Sequence, residues 1–213
     1  MSLPYPVAVR SERIADNVVH YAGLVLAIAG SAALIVYTAM VGTGGEIAAA
    51  SIYAAATVLA ISMSAAYHLV PHDGVRPWLR RLDHATIFLK IAGTYTPLVV
   101  ILGGMVAYGV LAAVWAIALM GAAAKLVFWR APGRRSTLLY VAMGWLSLVL
   151  VWPMAKTLPA EAMALMGIGG VTYTGGAWVY GAESLPFNTA IWHVMVLAAT
   201  ACFFVAVALG VAA

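Results

Sequence analysis

A serine, an aspartate and three histidines have the side chains and the spacing for chemistry. Ser64 and His68 are four residues apart, Asp83 and His84 are adjacent, and His193 follows much later. Imidazole nitrogen is a favoured ligand of zinc, and catalytic zinc sites keep one coordination position for water. A zinc ion held by such residues can polarise a carbonyl and activate water, which is the chemistry of amide or ester hydrolysis.

The rest of the chain is strongly apolar. Of 213 residues, 65% are hydrophobic and 8% are charged, whereas soluble domains carry about 25% charged residues. The apolar runs have the length of about 20 residues that a helical membrane crossing needs, and a membrane barrel would show alternating segments of about ten residues instead. The composition therefore predicts an all-α integral membrane protein.

Seven apolar runs predict a seven-transmembrane helix bundle. The predicted spans are 17–41, 46–69, 83–102, 105–128, 137–155, 160–180 and 188–211. Short connections make consecutive helices antiparallel neighbours, so we expect one domain at 17–213 after a cytoplasmic N-terminal segment at 1–16. The single cysteine, Cys202, rules out an intramolecular disulfide and a CxxC-type metal site.

The basic residues predict the orientation of the bundle. The connections on one side of the membrane contain only Lys156. Those on the other side, with the N-terminal segment, contain or adjoin Arg10, Arg13, Arg76, Arg80, Arg81, Lys125, Arg130, Arg134 and Arg135. The positive-inside rule then places the N-terminus in the cytoplasm and the C-terminus outside. This topology also accounts for the net charge of +4, so we expect no nucleic-acid partner.

With this orientation, the polar residues share the cytoplasmic third of the bundle. That layer contains His20, Ser64, His68, Asp83, His84 and His193, and only His72 falls in a loop. An ionisable group inside a span costs roughly 2.5–3.5 kcal/mol on insertion scales, so it marks a functional site unless a structural partner explains it. Asp83 could pair with Arg80 or Arg81, and each histidine alone could be an ordinary hydrogen-bonded interior group.

The convergence of these residues favours a zinc site over separate structural roles. His68 and His193 are the predicted ligands. Asp83 is a candidate general base, or an acceptor that holds the water or a ligand imidazole, and Ser64 can hydrogen-bond the water. Lys90 lies on the same polar stripe as Asp83, where it could bind a substrate carboxylate or phosphate, or tune the charge of the aspartate.

Five segments also carry a family resemblance. They are SAAYHL at 64–69, LDHATIFLKIAGTYTP at 82–97, YVAMGW at 140–145, GGVTYTGGAWVY at 169–180 and AIWHVMVLA at 190–198. In this order, across nearly the whole chain, they resemble the hemolysin III family, the bacterial members of the progestin and adiponectin receptor group, which are distantly related to alkaline ceramidases. The resemblance implies seven helices and a cytoplasmic-side zinc bound by His68 and His193, with Asp83 holding the zinc-bound water and Ser64 nearby.

The resemblance breaks at one ligand. The family pattern has a histidine four residues before His193, where this chain has Thr189. Three outcomes follow: Asp83 coordinates the metal directly, His84 or His20 supplies the third nitrogen, or the site binds metal weakly or not at all. We favour Asp83, because two histidines and a carboxylate form a common zinc site.

Three functions are compatible with the sequence. The first is a zinc-dependent hydrolase of lipid amides or esters in the bacterial cytoplasmic membrane, with membrane lipids as its partners. The second is a non-enzymatic protein of membrane homeostasis or lipid sensing, whose metal is a structural clamp or whose site is degraded. The third, a channel or pore-forming hemolysin, is disfavoured, because no ring of charges marks a filter.

Overall fold

The computed structural model describes residues 10–72, 74–128, 134–182 and 184–213, without the side chains of residues 134 and 135. Within these ranges all regular structure is helical. The elements are α1 (Arg10–Val41), α2 (Gly44–Leu69), α3 (Arg76–Leu102), α4 (Met105–Val127), α5 (Arg134–Trp145), a 3₁₀ helix (Leu146–Leu150), α6 (Val151–Thr157), α7 (Ala160–Gly181) and α8 (Asn188–Val211). Arg130, which the predicted orientation uses, lies outside the described residues.

Among the described residues, six helical segments are long and apolar enough to cross a membrane. They are α1, α2, α3, α4, α8 and the segment Ser136–Thr157, which runs from α5 through the 3₁₀ helix to α6. The helical, multi-pass membrane architecture expected from the composition is therefore confirmed. The remaining long helix, α7, has 22 residues, but its glycines, threonines and tyrosines leave it without an 18-residue stretch as apolar as those of the six.

The predicted fifth span is not one continuous α-helix. Regular α-helix stops at Trp145, a 3₁₀ helix follows, and α6 begins at Val151. Pro153 supplies a reason, because it has no N–H for the carbonyl of Val149 and its ring crowds that carbonyl. The tighter 3₁₀ winding accommodates this local break in the α-helical ladder.

Local signals in the sequence fix several helix ends. Thr43 caps α2: its hydroxyl accepts from the Glu46 N–H at 3.3 Å, and its own N–H donates to Glu46 Oε2 at 2.7 Å. This reciprocal pair satisfies two N–H groups that would otherwise be unbonded at the helix start. Between α3 and α4, Gly103 and Gly104 have φ angles of 66° and 82°, which only glycine adopts at little cost.

The central helix is α3, and α1 lies at the edge. The span of α3 is 61% buried, whereas that of α1 is 17% buried. α3 packs on α2 and α4, and at the α2 contact a Cβ on Gly93 would lie only 2.6 Å from the Cβ of Ala56. Glycine is therefore what lets these two helices approach so closely.

One stripe of α1 determines which of its residues enter the bundle. The helix packs on both α2 and α8, and its buried residues are Asp16, His20, Gly23, Ala27, Leu34 and Thr38. These recur every three to four residues or two turns apart, the spacing of one helix face. The outward face exposes large apolar side chains such as Val25 and Met40, as expected of a helix in contact with lipid. The polar beginning of this stripe faces the end of α2 and the start of α8.

Candidate metal centre

Three helices bring three histidines and one carboxylate to the same point. Asp16 and His20 come from the first turns of α1, His68 from the last turn of α2, and His193 from the second turn of α8. One ligand atom from each lies within 4.8 Å of the others, and none of the four side chains is more than 13% exposed. We call these four residues the histidine group.

Asp16 organises the histidine group through hydrogen bonds. Its carboxylate accepts from Nδ1–H of His68 at 2.7 Å and from Nδ1–H of His193 at 3.0 Å. The main-chain carbonyl of Asp16 accepts from Nδ1–H of His20 at 2.8 Å, one helical turn away. Because a carboxylate and a carbonyl can only accept, all three imidazoles carry their proton on Nδ1.

This protonation pattern leaves Nε2 of each neutral ring with a lone pair. Ser64 Oγ lies 3.4 Å from Nε2 of His20 and 3.4 Å from Nε2 of His193, so two of these lone pairs approach the same hydroxyl. The ring centroids of the three histidines are 4.2–4.7 Å apart. Metal-binding histidines typically donate their other ring N–H to a carboxylate or a carbonyl in this way.

The distances also distinguish two ways of holding an ion. Two ligand atoms on a tetrahedral zinc with bonds of 2.0–2.1 Å lie about 3.3 Å apart. The contacts from the Asp16 carboxylate to His68 and His193 are shorter, at 2.7 and 3.0 Å, and have ordinary hydrogen-bond lengths. These contacts therefore favour Asp16 as an acceptor that orients the rings of His68 and His193, rather than as a ligand of an ion itself. A set of imidazole donors suits zinc and also other transition metals.

The structure brings together four of the residues singled out in the sequence: His20, Ser64, His68 and His193. Thr189, which stands where the family pattern has a histidine, donates its hydroxyl to Asn188 Oδ1 at 3.2 Å. The third imidazole comes instead from His20, on a different helix. A third imidazole beside His68 and His193 thus comes from α1 rather than from α8.

Asp83 and His84, the other candidates, lie outside the histidine group. Asp83 is half-buried on α3, and His84 beside it is buried. The carboxylate that contacts the ligand histidines is Asp16, and it belongs to α1, the helix that packs on both α2 and α8. The favoured direct coordination by Asp83 therefore has no support in these distances.

Sequence reasoning missed Asp16. The charged run RSERIAD at 10–16 is typical of a segment at the membrane surface, so the predicted first span began only at residue 17. The signal that could have found it is the spacing of four residues between Asp16 and His20, which puts both side chains on one helix face.

A second contact fixes the start of α8 against α1. Phe187, just before α8, has a left-handed φ of 59°, a conformation that costs a non-glycine residue on the order of 1 kcal/mol or more. Its N–H donates to Glu12 Oε1 at 3.0 Å. Because Glu12 is one turn before Asp16, this bond holds the beginning of α8 beside the histidine group.

These features define a multi-pass helical membrane protein with a candidate metal centre inside its helical bundle. A family model described as "Haemolysin-III related" matches residues 11–204. The chain is 37% identical over 194 residues to Hemolysin-3 of Bacillus cereus, which covers 91% of this chain and 89% of that protein. It is 33% identical over 194 residues to the Hemolysin-3 homolog of Bacillus subtilis (strain 168), covering 91% of each. The chain therefore belongs to the haemolysin III family, which confirms the resemblance.

Proposed function

We propose that the protein is a zinc-dependent hydrolase of lipid amides or esters in the bacterial cytoplasmic membrane. His20, His68 and His193 would hold the ion through Nε2. The observation that carries this proposal is that three imidazoles, each with Nδ1 bonded to an acceptor of Asp16, converge within a bundle of apolar helices. Three protein ligands leave the fourth position for water, which is the arrangement of catalytic zinc sites.

The proposal includes a topology of seven spans, in which α7 crosses the membrane in addition to the six apolar segments. The N-terminus would be cytoplasmic and the C-terminus outside. The support is the distribution of basic residues, which flank alternate connections. In this orientation the beginning of α1, the end of α2 and the beginning of α8 lie at the cytoplasmic face, and membrane lipids reach the site from that leaflet.

The residues of the chain would divide the work of hydrolysis. Bound zinc supplies Lewis acidity and an activated water. Asp16 keeps the rings of His68 and His193 in the tautomer and orientation that binding needs. Ser64, whose hydroxyl lies beside two Nε2 atoms, would orient the water. Asp83 is our candidate general base, at the beginning of α3.

Metal analysis of the purified protein tests the site. We expect stoichiometric zinc in the wild type and its loss in His20→Ala, because that variant leaves only two imidazoles in the histidine group. The matched control is His84→Ala, which removes a buried histidine outside the histidine group and should retain the metal. Stoichiometric metal in His20→Ala would show that the proposed ligand set is wrong.

Turnover tests the chemistry. Zinc-loaded protein in vesicles that contain a lipid amide or a lipid ester should release the free fatty acid, and a chelator should stop the release. Asp83→Asn should lose turnover while it keeps its zinc. If zinc-loaded wild type hydrolyses neither lipid class, the hydrolase proposal fails although the metal site remains.

A second candidate is a non-enzymatic protein of membrane homeostasis in which the metal is a structural clamp. It is favoured by the origin of the ligands, because the histidine group connects α1 and α8, the first and last helices, through the end of α2. Metal binding would then hold the two ends of the bundle together. The expected result is a zinc-dependent rise in the melting temperature without lipid turnover.

A further inference from the structure

A recess of about 330 Å³ adjoins the candidate metal centre. Its walls come from the beginning of α1, the end of α2 with the turn that follows, and the first residue of α3. The lining residues are Arg13, Asn17, His68, Leu69, Val70, Pro71 and Arg76. The volume lies at the lower end of the range of about 300–1,000 Å³ that small-molecule sites occupy.

The charged side chains that line the recess, among the residues that the structure describes, are the two arginines. Arg13 is exposed on α1, and Arg76 is half-buried, with its guanidinium 5.7 Å from the centre of the Tyr67 ring. Among the lining residues that the structure describes, none is acidic. Two guanidinium groups around one space suit an anion with several oxygens, because each planar guanidinium can donate two parallel hydrogen bonds to a phosphate.

The recess and the histidine group share a residue and a helix face. His68 belongs to both. On α1, Arg13 and Asn17 in the recess wall are one turn apart, with Asp16 between them and His20 three residues after Asn17, so all four lie on one side of the helix. An anion held by the two arginines would therefore sit beside the histidine group, and the remainder of the same molecule could extend to the metal.

We propose that this recess binds a phosphate group and that the molecule acted on at the metal centre is a phosphate-bearing amphiphile, such as a phospholipid. The second half of this proposal rests on the proposed function. The first half, phosphate binding between Arg13 and Arg76, does not, because it depends only on the recess. An anionic lipid head group in the cytoplasmic leaflet and a soluble phosphate ester present the same chemistry to the arginines.

Binding measurements in a maltoside detergent, which contains no phosphate, test the recess. The full-length protein as purified is titrated with dioctanoyl-phosphatidylglycerol, and with dioctanoylglycerol, which has the same chains and no phosphate. We expect the phospholipid to bind more tightly, and Arg13→Gln and Arg76→Gln to weaken it by about tenfold each, as for the loss of a hydrogen bond to a charged group. The proposal is overturned if the double variant binds both lipids as the wild type does.

The chain provides matched controls for charge and folding. Arg10→Gln removes the same charge from the same helix, outside the recess, and should leave the affinity unchanged. Equal weakening by Arg10→Gln would mean a general effect of surface charge and would overturn the proposal. Arg13→Lys keeps the charge but loses the planar guanidinium that can donate two parallel hydrogen bonds. The affinity of this variant should therefore fall between those of the wild type and Arg13→Gln. Because Arg13 is exposed, its variants remain informative even if Arg76→Gln does not fold.

Two further measurements identify the source of the phosphate and distinguish a failure of the recess proposal from a failure of the proposed hydrolase. Titration with sn-glycerol 3-phosphate identifies a soluble ester as the source if it binds with the same dependence on the arginines and the phospholipid does not. Each titration is repeated after chelation. If the protein contains no metal, the proposed hydrolase fails, but phosphate binding that depends on the arginines still supports the recess. If the metal is present and both arginines are irrelevant, only the recess proposal fails.

Discussion

Two clusters of polar side chains inside this bundle differ in which lone pairs remain available to a ligand. The first is the histidine group. The second, which we call the lysine group, consists of Lys90, Tyr173 and Thr200, on α3, α7 and α8. Lys90 is only 8% exposed, and its Nζ donates to Thr200 Oγ1 at 2.8 Å. The Tyr173 hydroxyl lies 2.8 Å from the same oxygen, and the Lys90 Nζ is 5.4 Å from the centre of the Tyr173 ring.

Thr200 Oγ1, the shared partner in the lysine group, has no hydrogen-bonding capacity left, whereas the imidazoles of the histidine group each keep an acceptor nitrogen. Thr200 Oγ1 donates to the carbonyl of Val196 at 2.6 Å, so its one proton and both lone pairs are used. The three histidines have bonded Nδ1 atoms, and the Nε2 atoms of His20 and His193 both approach Ser64 Oγ. A buried polar group can therefore be structural or ligand-binding, and the atoms that remain available distinguish the two roles better than burial does.

The largest expected effect is the response to zinc. At a zinc concentration about 1,000 times the dissociation constant, binding should stabilise the folded protein by about 4 kcal/mol. The rise in melting temperature in detergent should be absent in His193→Ala and present in Lys90→Met. A zinc response that disappears in Lys90→Met as well would contradict the distinction between the two groups.

The next effect concerns Asp16. Replacing the carboxylate in Asp16→Asn should weaken metal binding by about 10- to 100-fold, as for other acceptors that orient ligand histidines. The asparagine has one acceptor oxygen for the two Nδ1–H donors of His68 and His193. Asp83→Asn is the comparison, with the affinity measured by competition against a chelator. If Asp83→Asn causes the larger loss, the direct coordination predicted from the sequence is restored.

A smaller effect is expected at the lysine group. Thr200→Val keeps the shape of the side chain but leaves the Lys90 ammonium and the Tyr173 hydroxyl without their common partner. The unmet hydrogen bonds should destabilise the protein by about 1–3 kcal/mol, measured by thermal unfolding in the presence of a chelator. Metal affinity should not change. Restoration of stability by Lys90→Met in the Thr200→Val background would show that the stranded ammonium is the cause.

The helices were predictable from the sequence, but the residues that form the candidate metal centre were predictable only in part. Apolar runs of about 20 residues have few alternatives to a membrane helix, so the long helices were predicted, although α1 and α3 begin seven residues before the predicted spans. The interruption at Leu146–Leu150 was not predicted, because a 3₁₀ segment leaves no mark in hydropathy and a proline alone does not indicate one: Pro97 lies inside the continuous helix α3. His68 and His193 were found because they interrupt apolar runs, which made them conspicuous.

Asp16 shows why the other residues of the candidate metal centre could not all be predicted from the sequence. It lies among charged residues, where one more carboxylate carries no signal, and only packing of α1 on both α2 and α8 gives it a role. Asp83, by contrast, is conspicuous next to His84 and belongs to a motif of the family, yet it lies outside the group. Sequence spacing identifies the face that a side chain occupies along one helix. Which faces of different helices meet is a property of the fold.

The smallest expected effect, at Ser64, separates a ligand from a residue that acts on the water. Its contacts to His20 Nε2 and His193 Nε2 are both 3.4 Å, long for hydrogen bonds, so Ser64→Ala should change zinc affinity by only about two- to threefold. If Ser64 orients the water, the same variant should lower kcat more than it changes the KM for the lipid. Equal zinc affinity and equal kcat in Ser64→Ala and the wild type would contradict that role. A loss of affinity as large as that of Asp16→Asn would instead place Ser64 among the groups that build the metal centre.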